Sequence, residues 1–279
     1  MWKKILLILF VIVVASGVAV RRFPHSFLFF GSSTSKIEKE EGNVVKVNEA
    51  TLQEQTVEDR SSTTEKIIEV EKPVQSEEVK TEKAPQSSLL KDVPFTVQAP
   101  FGEWNIATFQ NGCEEAALVM AVHWLSGEPL TKEIAKQEII ALARFGDKKH
   151  GQSIDTSAAD TEKFFKEYYN ITTSEVRTDI TLTDIQEALA TGALVIVPMD
   201  GRKLQNPNYK QPGPTTHMLV VIGYDAEKKE FITHDSGTRN GKGYRYQEEI
   251  LYEAIRDYPT GDHLPIKGIH KDMIVVRKP

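Results

Sequence analysis

The stretch FQNGCEEAALVMAVHWL, residues 109–125, contains the only cysteine of a chain of 279 residues. Asn111 and Gly112 form a turn signal, and residues 113–125 are apolar on nearly all sides, so a buried helix is predicted to begin at or next to Cys113. A lone cysteine is often a small residue of the core. With a distant histidine and an acid, a single cysteine can instead be a nucleophile. This stretch alone leaves both interpretations open.

Two segments precede the part of the chain that is rich in aromatic residues. Residues 5–20, ILLILFVIVVASGVAV, lie between basic flanks and predict a membrane anchor or a signal peptide within residues 1–30. We expect an uncleaved anchor because two arginines follow the apolar run directly, and cleavage with secretion is the alternative. Residues 31–91 contain no aromatic residue and many charges. Such a segment cannot bury enough apolar area to offset its chain entropy, so a disordered linker is predicted.

Composition excludes several classes of function. The formal net charge is −6, and no lysine- or arginine-rich cluster with interleaved aromatics appears, so nucleic acid is not expected as a partner. One cysteine excludes an intrachain disulfide and every zinc site that needs two thiolates. The sequence implies no metal and no cofactor.

Aromatic residues return at Phe95 and continue to the end, so residues 92–279 are predicted to form one globular domain. Further helices are predicted at 129–146, ending at Gly146, at 153–169, and in a short helix that a capping box at 183–186 opens and Gly192 ends. Strands are predicted at 193–199, 217–225, 230–235 and 273–279. Helices that precede strands in the chain are typical of an α+β domain with an antiparallel sheet.

The position of Cys113 favours reactivity in one respect and opposes it in another. The helix dipole favours a thiolate at the N-terminus of a helix. The charges of Glu114 and Glu115 oppose it, so activation would need a nearby cation such as an imidazolium. His123 lies about 15 Å along the same helix and cannot reach the thiol. Of the remaining histidines, His217 and His234 lie in predicted strands.

The predicted hairpin of residues 217–235 distinguishes these two histidines. If residues 225–227 form the loop, His217 lies directly opposite Asp235, at a distance that lets a carboxylate hold an imidazole in one tautomer. His234, as the neighbour of Asp235 on the strand, then faces the other side. A one-residue bulge would change this register. An oxyanion beside Cys113 could receive an amide hydrogen bond from Gln98, or from Gln110, which is closer in sequence.

Four segments together resemble the C39-like peptidase domains, relatives of the papain-like cysteine peptidases. They are VPFTVQAPFGEW, QNGCEEAALVM, PTTHMLVVIGYD and FITHDSG. The resemblance covers about residues 93–279. It implies a papain-like α+β fold in which a helical N-terminal half, with the buried cysteine-bearing helix, packs on a C-terminal antiparallel sheet.

The resemblance also implies roles for individual residues. Cys113 would be the nucleophile and His217 the general base. Asp235 would orient the imidazole, and Gln98 would be the oxyanion donor. Two features depart from the family pattern: Glu114 stands where many members have glycine, and the gap from Gln98 to Cys113 is long.

The sequence therefore predicts a membrane-tethered hydrolase that acts outside the cytoplasm on a peptide or amide bond of a peptide or protein substrate. One alternative, indicated by the two glutamates after Cys113, is a catalytically silent module that binds a peptide or a cell-wall fragment. Another is an enzyme similar to transglutaminases that transfers the acyl group to an amine.

Overall fold

The computed structural model describes residues 85–279. The predicted anchor at 1–30 and nearly all of the predicted linker at 31–91 lie outside the described residues. Within residues 85–279, no helix has both the length and the apolar character needed to cross a membrane.

Residues 85–279 contain six helices and seven strands. The helices are α1 (Ala107–Gln110), α2 (Cys113–Ser126), α3 (Lys132–His150), α4 (Ala158–Tyr169), α5 (Leu182–Ala190) and α6 (Glu248–Ala254). The strands are β1 (Ser88–Leu89), β2 (Ser174–Arg177), β3 (Leu194–Met199), β4 (His217–Asp225), β5 (Glu230–His234), β6 (Lys242–Gln247) and β7 (Met273–Val276).

The helix predicted at Cys113 is confirmed, since α2 begins at this residue and buries each of its residues from Cys113 to Trp124. It ends at Gly127, which adopts a left-handed conformation with φ 71°. A helix buried on all sides has no polar stripe, as its sequence indicates.

Two predicted helix boundaries are wrong. Helix α3 runs past Gly146 and ends at Gly151, which has φ 75°. Gly146 is a residue of the helix interior, and glycine fits there because α4 approaches closely. A Cβ atom at this position would lie 2.7 Å from Cε2 of Phe164. The capping box of α5 consists of Thr181 and Asp184, not of residues 183–186, and the helix ends at Ala190.

The strands form one antiparallel sheet with the order β2-β7-β3-β4-β5-β6. Strand β3 pairs with β4 at 217–221, and β1 pairs with β4 at 223–224. Strand β1 lies just before residue 92, where the change of composition predicts the start of the domain. The predicted α+β class with an antiparallel sheet is confirmed.

The central strands are buried on both faces, because alternate residues belong to two apolar clusters. In β3, Leu194 and Ile196 pack with residues of α2, α3 and α4, whereas Val195 and Val197 pack with residues of α5 and α6. This explains why β3 reads as a continuous apolar run. The helical half thus covers one face as predicted, and the second helical layer is an addition to the predicted arrangement.

Candidate active site

The side chains of His217 and Asp235 meet at one end of the sheet. His217 is the first residue of β4, and Asp235 follows the last residue of β5. Nε2 of His217 lies 2.9 Å from Oδ1 of Asp235, and both side chains are almost completely buried. Nδ1 of the imidazole makes no hydrogen bond within residues 85–279.

The register that brings them together differs from the predicted one. The loop between β4 and β5 spans residues 226–229, and Asp225 pairs with Glu230. A register shift between Val221 and Gly223 then pairs Val220 with His234, so continuing the register places Asp235 beside Leu219 rather than opposite His217. Because alternate residues share a face, Leu219 and His217 lie on the same side of β4. The bulge therefore restores the contact that a longer loop alone would have broken.

Five donors surround the carboxylate of Asp235. They are His217 Nε2 and the Gly237 backbone N–H at Oδ1, and the Tyr209 hydroxyl, the Tyr246 hydroxyl and Asn206 Nδ2 at Oδ2. Burial by itself raises the pKa of Asp235, but attraction to His217 and the hydrogen bonds from His217 and the tyrosines outweigh it. The pKa of Asp235 therefore lies below its ordinary value, and the residue is an anion at neutral pH.

The imidazole is also confined by its surroundings. The rings of Tyr209 and His217 meet edge to face, with centroids 5.7 Å apart. At Gly237, a Cβ atom would lie 3.0 Å from Cε1 of His217 and 3.1 Å from Cε1 of Tyr209. Because glycine has no Cβ atom, residue 237 does not crowd the two rings, which a larger residue would displace.

Cys113 stands at the N-terminus of α2, and its hydrogen-bond partner is its neighbour in sequence. The Sγ–H group donates to Oε2 of Glu114 at 3.1 Å. Burial, followed by the charge and the hydrogen-bonded carboxylate of Glu114, raises the pKa of the Cys113 thiol well above its ordinary value. The charges of Glu115 and Asp155 act in the same direction. In this state Cys113 is a thiol, not a thiolate.

Tyr258 connects Glu114 to the strand that carries His217. Its hydroxyl donates to Oε1 of Glu114 at 2.7 Å and lies 3.3 Å from the backbone carbonyl oxygen of His217. Burial raises the pKa of Glu114 to about 7, although the hydrogen bonds from Cys113 and Tyr258 act against this shift. The structure records no hydrogen bond between Cys113 and the imidazole of His217.

A further buried acid, Asp155, lies close enough to this cluster to raise the pKa values of its members. Asp155, in a left-handed conformation with φ 50°, accepts a hydrogen bond from the Thr216 hydroxyl at 2.7 Å. Its other oxygen pairs with the backbone N–H and the Nδ1 atom of His263. Thr216 immediately precedes His217, so this network holds the segment that enters β4.

Gln98 reaches the segment that leads into α2. Its Nε2 donates to the carbonyl oxygens of Phe109 at 3.1 Å and Gln110 at 2.8 Å. Its backbone N–H donates to the carbonyl of Ser236, next to Asp235. Gln98 therefore joins the turn before Cys113 to the strand end that carries Asp235. The side chain of Gln110 is exposed.

His234 and His123 occupy structural positions. His234 lies against Val93, whose carbonyl oxygen is 3.0 Å from Nε2, and burial lowers the pKa of the imidazole. His123 pairs with Glu138 of α3. Within residues 85–279, no group of three or more histidine, cysteine or acidic side chains is arranged to hold a metal ion.

Sequence reasoning did not find Tyr258, Asp155, Asn206, Tyr209 or Tyr246. Tyr258 is 144 residues from Glu114, and Asp155 is 61 residues from Thr216. Pairings over such separations leave no local pattern. The one local signal was Glu114 itself, which stands directly beside the cysteine.

The structure is similar to a crystal structure of a candidate C39-like peptidase from Bacillus anthracis. The two chains are 14% identical; the match covers 69% of this chain and 98% of that chain, with a TM-score of 0.44. No curated protein matches the sequence. The sequence model of the Peptidase C39-like family matches residues 90–259, which is more than half of the chain. The chain therefore belongs to the Peptidase C39-like family.

Proposed function

We propose that this protein is a thiol hydrolase that cleaves a peptide or amide bond, with Cys113 as the nucleophile. The observation that carries the proposal is the buried hydrogen bond between His217 and Asp235, next to the elements that hold Cys113. Membership of a peptidase-like family supports the same class of reaction.

The hydrogen bond at Nε2 supports different roles for the two imidazole nitrogens. Because Asp235 is an anion, Nε2 carries the proton that it donates to Oδ1. Nδ1 is then the nitrogen that accepts the thiol proton. In the proposed reaction Sγ attacks the substrate carbonyl carbon, and the protonated Nδ1 later gives its proton to the leaving amine. Water then hydrolyses the thioester and releases the acid.

Two donors are proposed for the oxyanion. The backbone N–H of Cys113 belongs to the first turn of α2, whose N–H groups have no partner within the helix. The second donor is the amide of Gln98. In the described state its Nε2 donates to two carbonyl oxygens, so it would exchange one of them for the oxyanion as the intermediate forms.

Substrate access requires a movement near Cys113, because the residue is only 4% exposed. The loop from Gln98 to Cys113 exposes Phe101, Trp104 and Ile106 to solvent. Exposed apolar side chains in the segment that leads to the nucleophile are suited to hold an apolar side chain of a peptide. We therefore propose a peptide substrate with an apolar residue near the cleaved bond.

We also propose that the domain acts outside the cytoplasm on a membrane tether. This proposal rests on the apolar run at 5–20 and the polar segment after it. Fractionation of cells that express the full chain should recover it with membranes, and external protease should digest the domain in intact cells. A chain found in the cytosolic fraction would contradict the tether.

One observation favours a second candidate, a silent module that binds peptides. The thiol of Cys113 donates to a buried carboxylate rather than to an imidazole. Such a module would bind peptides without cleaving them.

Hydrolysis of fluorescently labelled casein by the full chain separates these candidates. The proposal predicts cleavage by the wild type and no more than a residual rate from Cys113→Ser. The variant Thr183→Ala, which changes a partly exposed residue of α5, should cleave like the wild type. Peptide binding without cleavage by the wild type would support the silent module. Formation of amide products with added amine, in place of hydrolysis, would indicate acyl transfer.

A further inference from the structure

Glu114 touches the reacting atom of the proposed nucleophile. Its Oε2 lies 3.1 Å from Sγ of Cys113, and its Oε1 is held at 2.7 Å by the hydroxyl of Tyr258. Both Cys113 and Glu114 are buried, with 4% and 2% of their surface exposed. The position of the carboxylate is therefore fixed at both oxygens, and one of its two contacts is the thiol proton.

The surroundings of this pair contain mainly acids. The groups that face it are Glu115 in the same helical turn, Asp155 before α4 and Tyr258 after α6. His217 is joined to the pair only through the Tyr258 hydroxyl near its backbone carbonyl, and its ring is held by Asp235. His263 pairs with Asp155.

Two negative charges 3.1 Å apart in a buried site repel strongly. A thiolate at Cys113 beside an ionised Glu114 is therefore unfavourable. At high pH the state in which both groups keep their protons is unfavourable as well, because the proton concentration is low. Groups that interact this strongly lose their protons in two separate steps, and between those steps one proton belongs to the pair.

We propose that Cys113 and Glu114 share one proton, and that the thiolate forms when this proton moves from Sγ to Oε2 of Glu114. The S–H bond breaks as the O–H bond forms, and the total charge of the pair stays at −1. The neutral carboxyl group can then donate a hydrogen bond to the thiolate. Glu114 is thus a second proton acceptor for the nucleophile. This inference rests on the proposed function, in which Cys113 attacks the substrate.

The proposal predicts a plateau in the reactivity of the thiol. Below the first step, the thiolate fraction rises tenfold for each pH unit. Once the pair has lost its first proton, the remaining proton divides between sulfur and oxygen in a fixed ratio, so the thiolate fraction stays constant with pH. The raised pKa of Glu114, about 7, supports a plateau that begins near this pH.

The test is the rate at which iodoacetamide alkylates Cys113 in the folded full chain, measured from pH 5 to 10. As the only cysteine, Cys113 is the only thiol that reacts. The wild type should show the plateau. In Glu114→Gln the rate should keep rising through this range, so that it exceeds the wild-type rate about twofold at pH 7 and about tenfold at pH 8.

Two further variants separate Glu114 from its neighbours. Glu115→Gln removes an adjacent buried carboxylate that makes no hydrogen bond with Sγ, so the plateau should persist. The hydrogen bond from Tyr258 to Oε1 lowers the pKa of Glu114. Tyr258→Phe removes this hydrogen bond and should raise the pKa, so the plateau should begin at a higher pH. Circular dichroism at each pH checks that the variants are folded.

His217→Ala distinguishes this proposal from the proposed function. A plateau that persists in His217→Ala supports proton sharing with Glu114. A plateau that vanishes in this variant would assign the proton to the imidazole, which would overturn the inference while leaving Cys113 and His217 as a catalytic pair. A wild-type rate that keeps rising through pH 7 and 8 without a plateau would also overturn the inference, even if Glu114→Gln failed to fold.

Discussion

At the scale of single residues, the site combines one well-satisfied acid with others that are poorly satisfied. Asp235 has five donors and a pKa below its ordinary value. Glu114 has two donors, and burial raises its pKa. Oε2 of Glu115 is buried and has no hydrogen-bond partner among the described residues. The number of donors thus decides which acid remains charged in the interior.

Replacing Asp235 with alanine should reduce kcat on the casein substrate by about 10³-fold or more, because no acceptor then holds the imidazole in the tautomer that donates from Nε2. The matched variant Tyr246→Phe removes one donor to Oδ2 and leaves the contact with His217, so its loss should be much smaller. Steady-state kinetics provide the comparison. Equal activity of Asp235→Ala and the wild type would exclude a role for Asp235 in orienting His217.

At the scale of elements, the sequence predicted best those segments whose burial is uniform. Strand β4 begins and ends where its apolar run does, and α2 begins at the cysteine. Strand β6 and helix α6 were missed because Lys242–Gln247 is mostly exposed and polar. The loop between β4 and β5 was predicted one residue too short. The bulge near Ile222 was not predicted, because nothing local in the sequence marks it.

The start of α5 gives a test of this reasoning. The Thr181 hydroxyl oxygen accepts a hydrogen bond from the backbone N–H of Asp184, and the Asp184 carboxylate accepts one from the backbone N–H of Thr181. Thr181→Ala should therefore lower the free energy of unfolding by about 1 kcal/mol, as measured by urea denaturation. Thr183→Ala, at the position that the sequence suggested, lies within the helix and should change it little. A loss of stability that is larger for Thr183→Ala than for Thr181→Ala would contradict Thr181 as the N-cap residue of α5.

At the scale of the whole molecule, buried carboxyl groups set how stability depends on pH. The pKa of Glu114 rises from 4.5 to about 7 on folding, so the folded chain binds more protons than the unfolded chain in this interval. Stability therefore falls as the pH rises from about 4.5 to 7. Asp235 acts in the opposite sense: the stability that it contributes is present above its ordinary pKa and is lost as the pH falls further below it.

Urea denaturation at pH 5 and pH 7.5 measures this effect. The wild type should be more stable at pH 5, and Glu114→Gln should reduce the difference by about 2 kcal/mol. Glu175→Gln changes an exposed carboxylate and should leave the difference in place. A wild type that becomes more stable between pH 5 and 7.5 would contradict the raised pKa of the buried acid beside Cys113.

The position of β1 leads to a prediction about the extent of the domain. Ser88 and Leu89 pair with Tyr224 and Gly223 of β4, and the Leu90 backbone N–H donates to the carbonyl of Ile222. A chain that begins at residue 92 loses these contacts and should melt at a lower temperature than one that begins at residue 85. Calorimetry of the two chains decides the point. Equal melting temperatures would show that β1 contributes nothing to stability.

The candidate site was predictable in part from the sequence. The order of Gln98, Cys113, His217 and Asp235 in the chain was visible in short motifs. The contacts of Glu114 with Tyr258 and of Asp155 with His263 were not, because they join segments that are more than 100 residues apart. The sequence identified Glu114 as a departure, but only the coordinates give its hydrogen bond with the thiol.

The central claim is that Cys113 and His217 act as one unit in hydrolysis. Its most direct test is a double-mutant cycle in kcat/KM with Cys113→Ser, His217→Asn and the double variant. Residues that act as a unit are not additive, so the double variant should be no slower than Cys113→Ser alone. Losses that multiply in the double variant, or hydrolysis by Cys113→Ser at the wild-type rate, would contradict the joint role of Cys113 and His217.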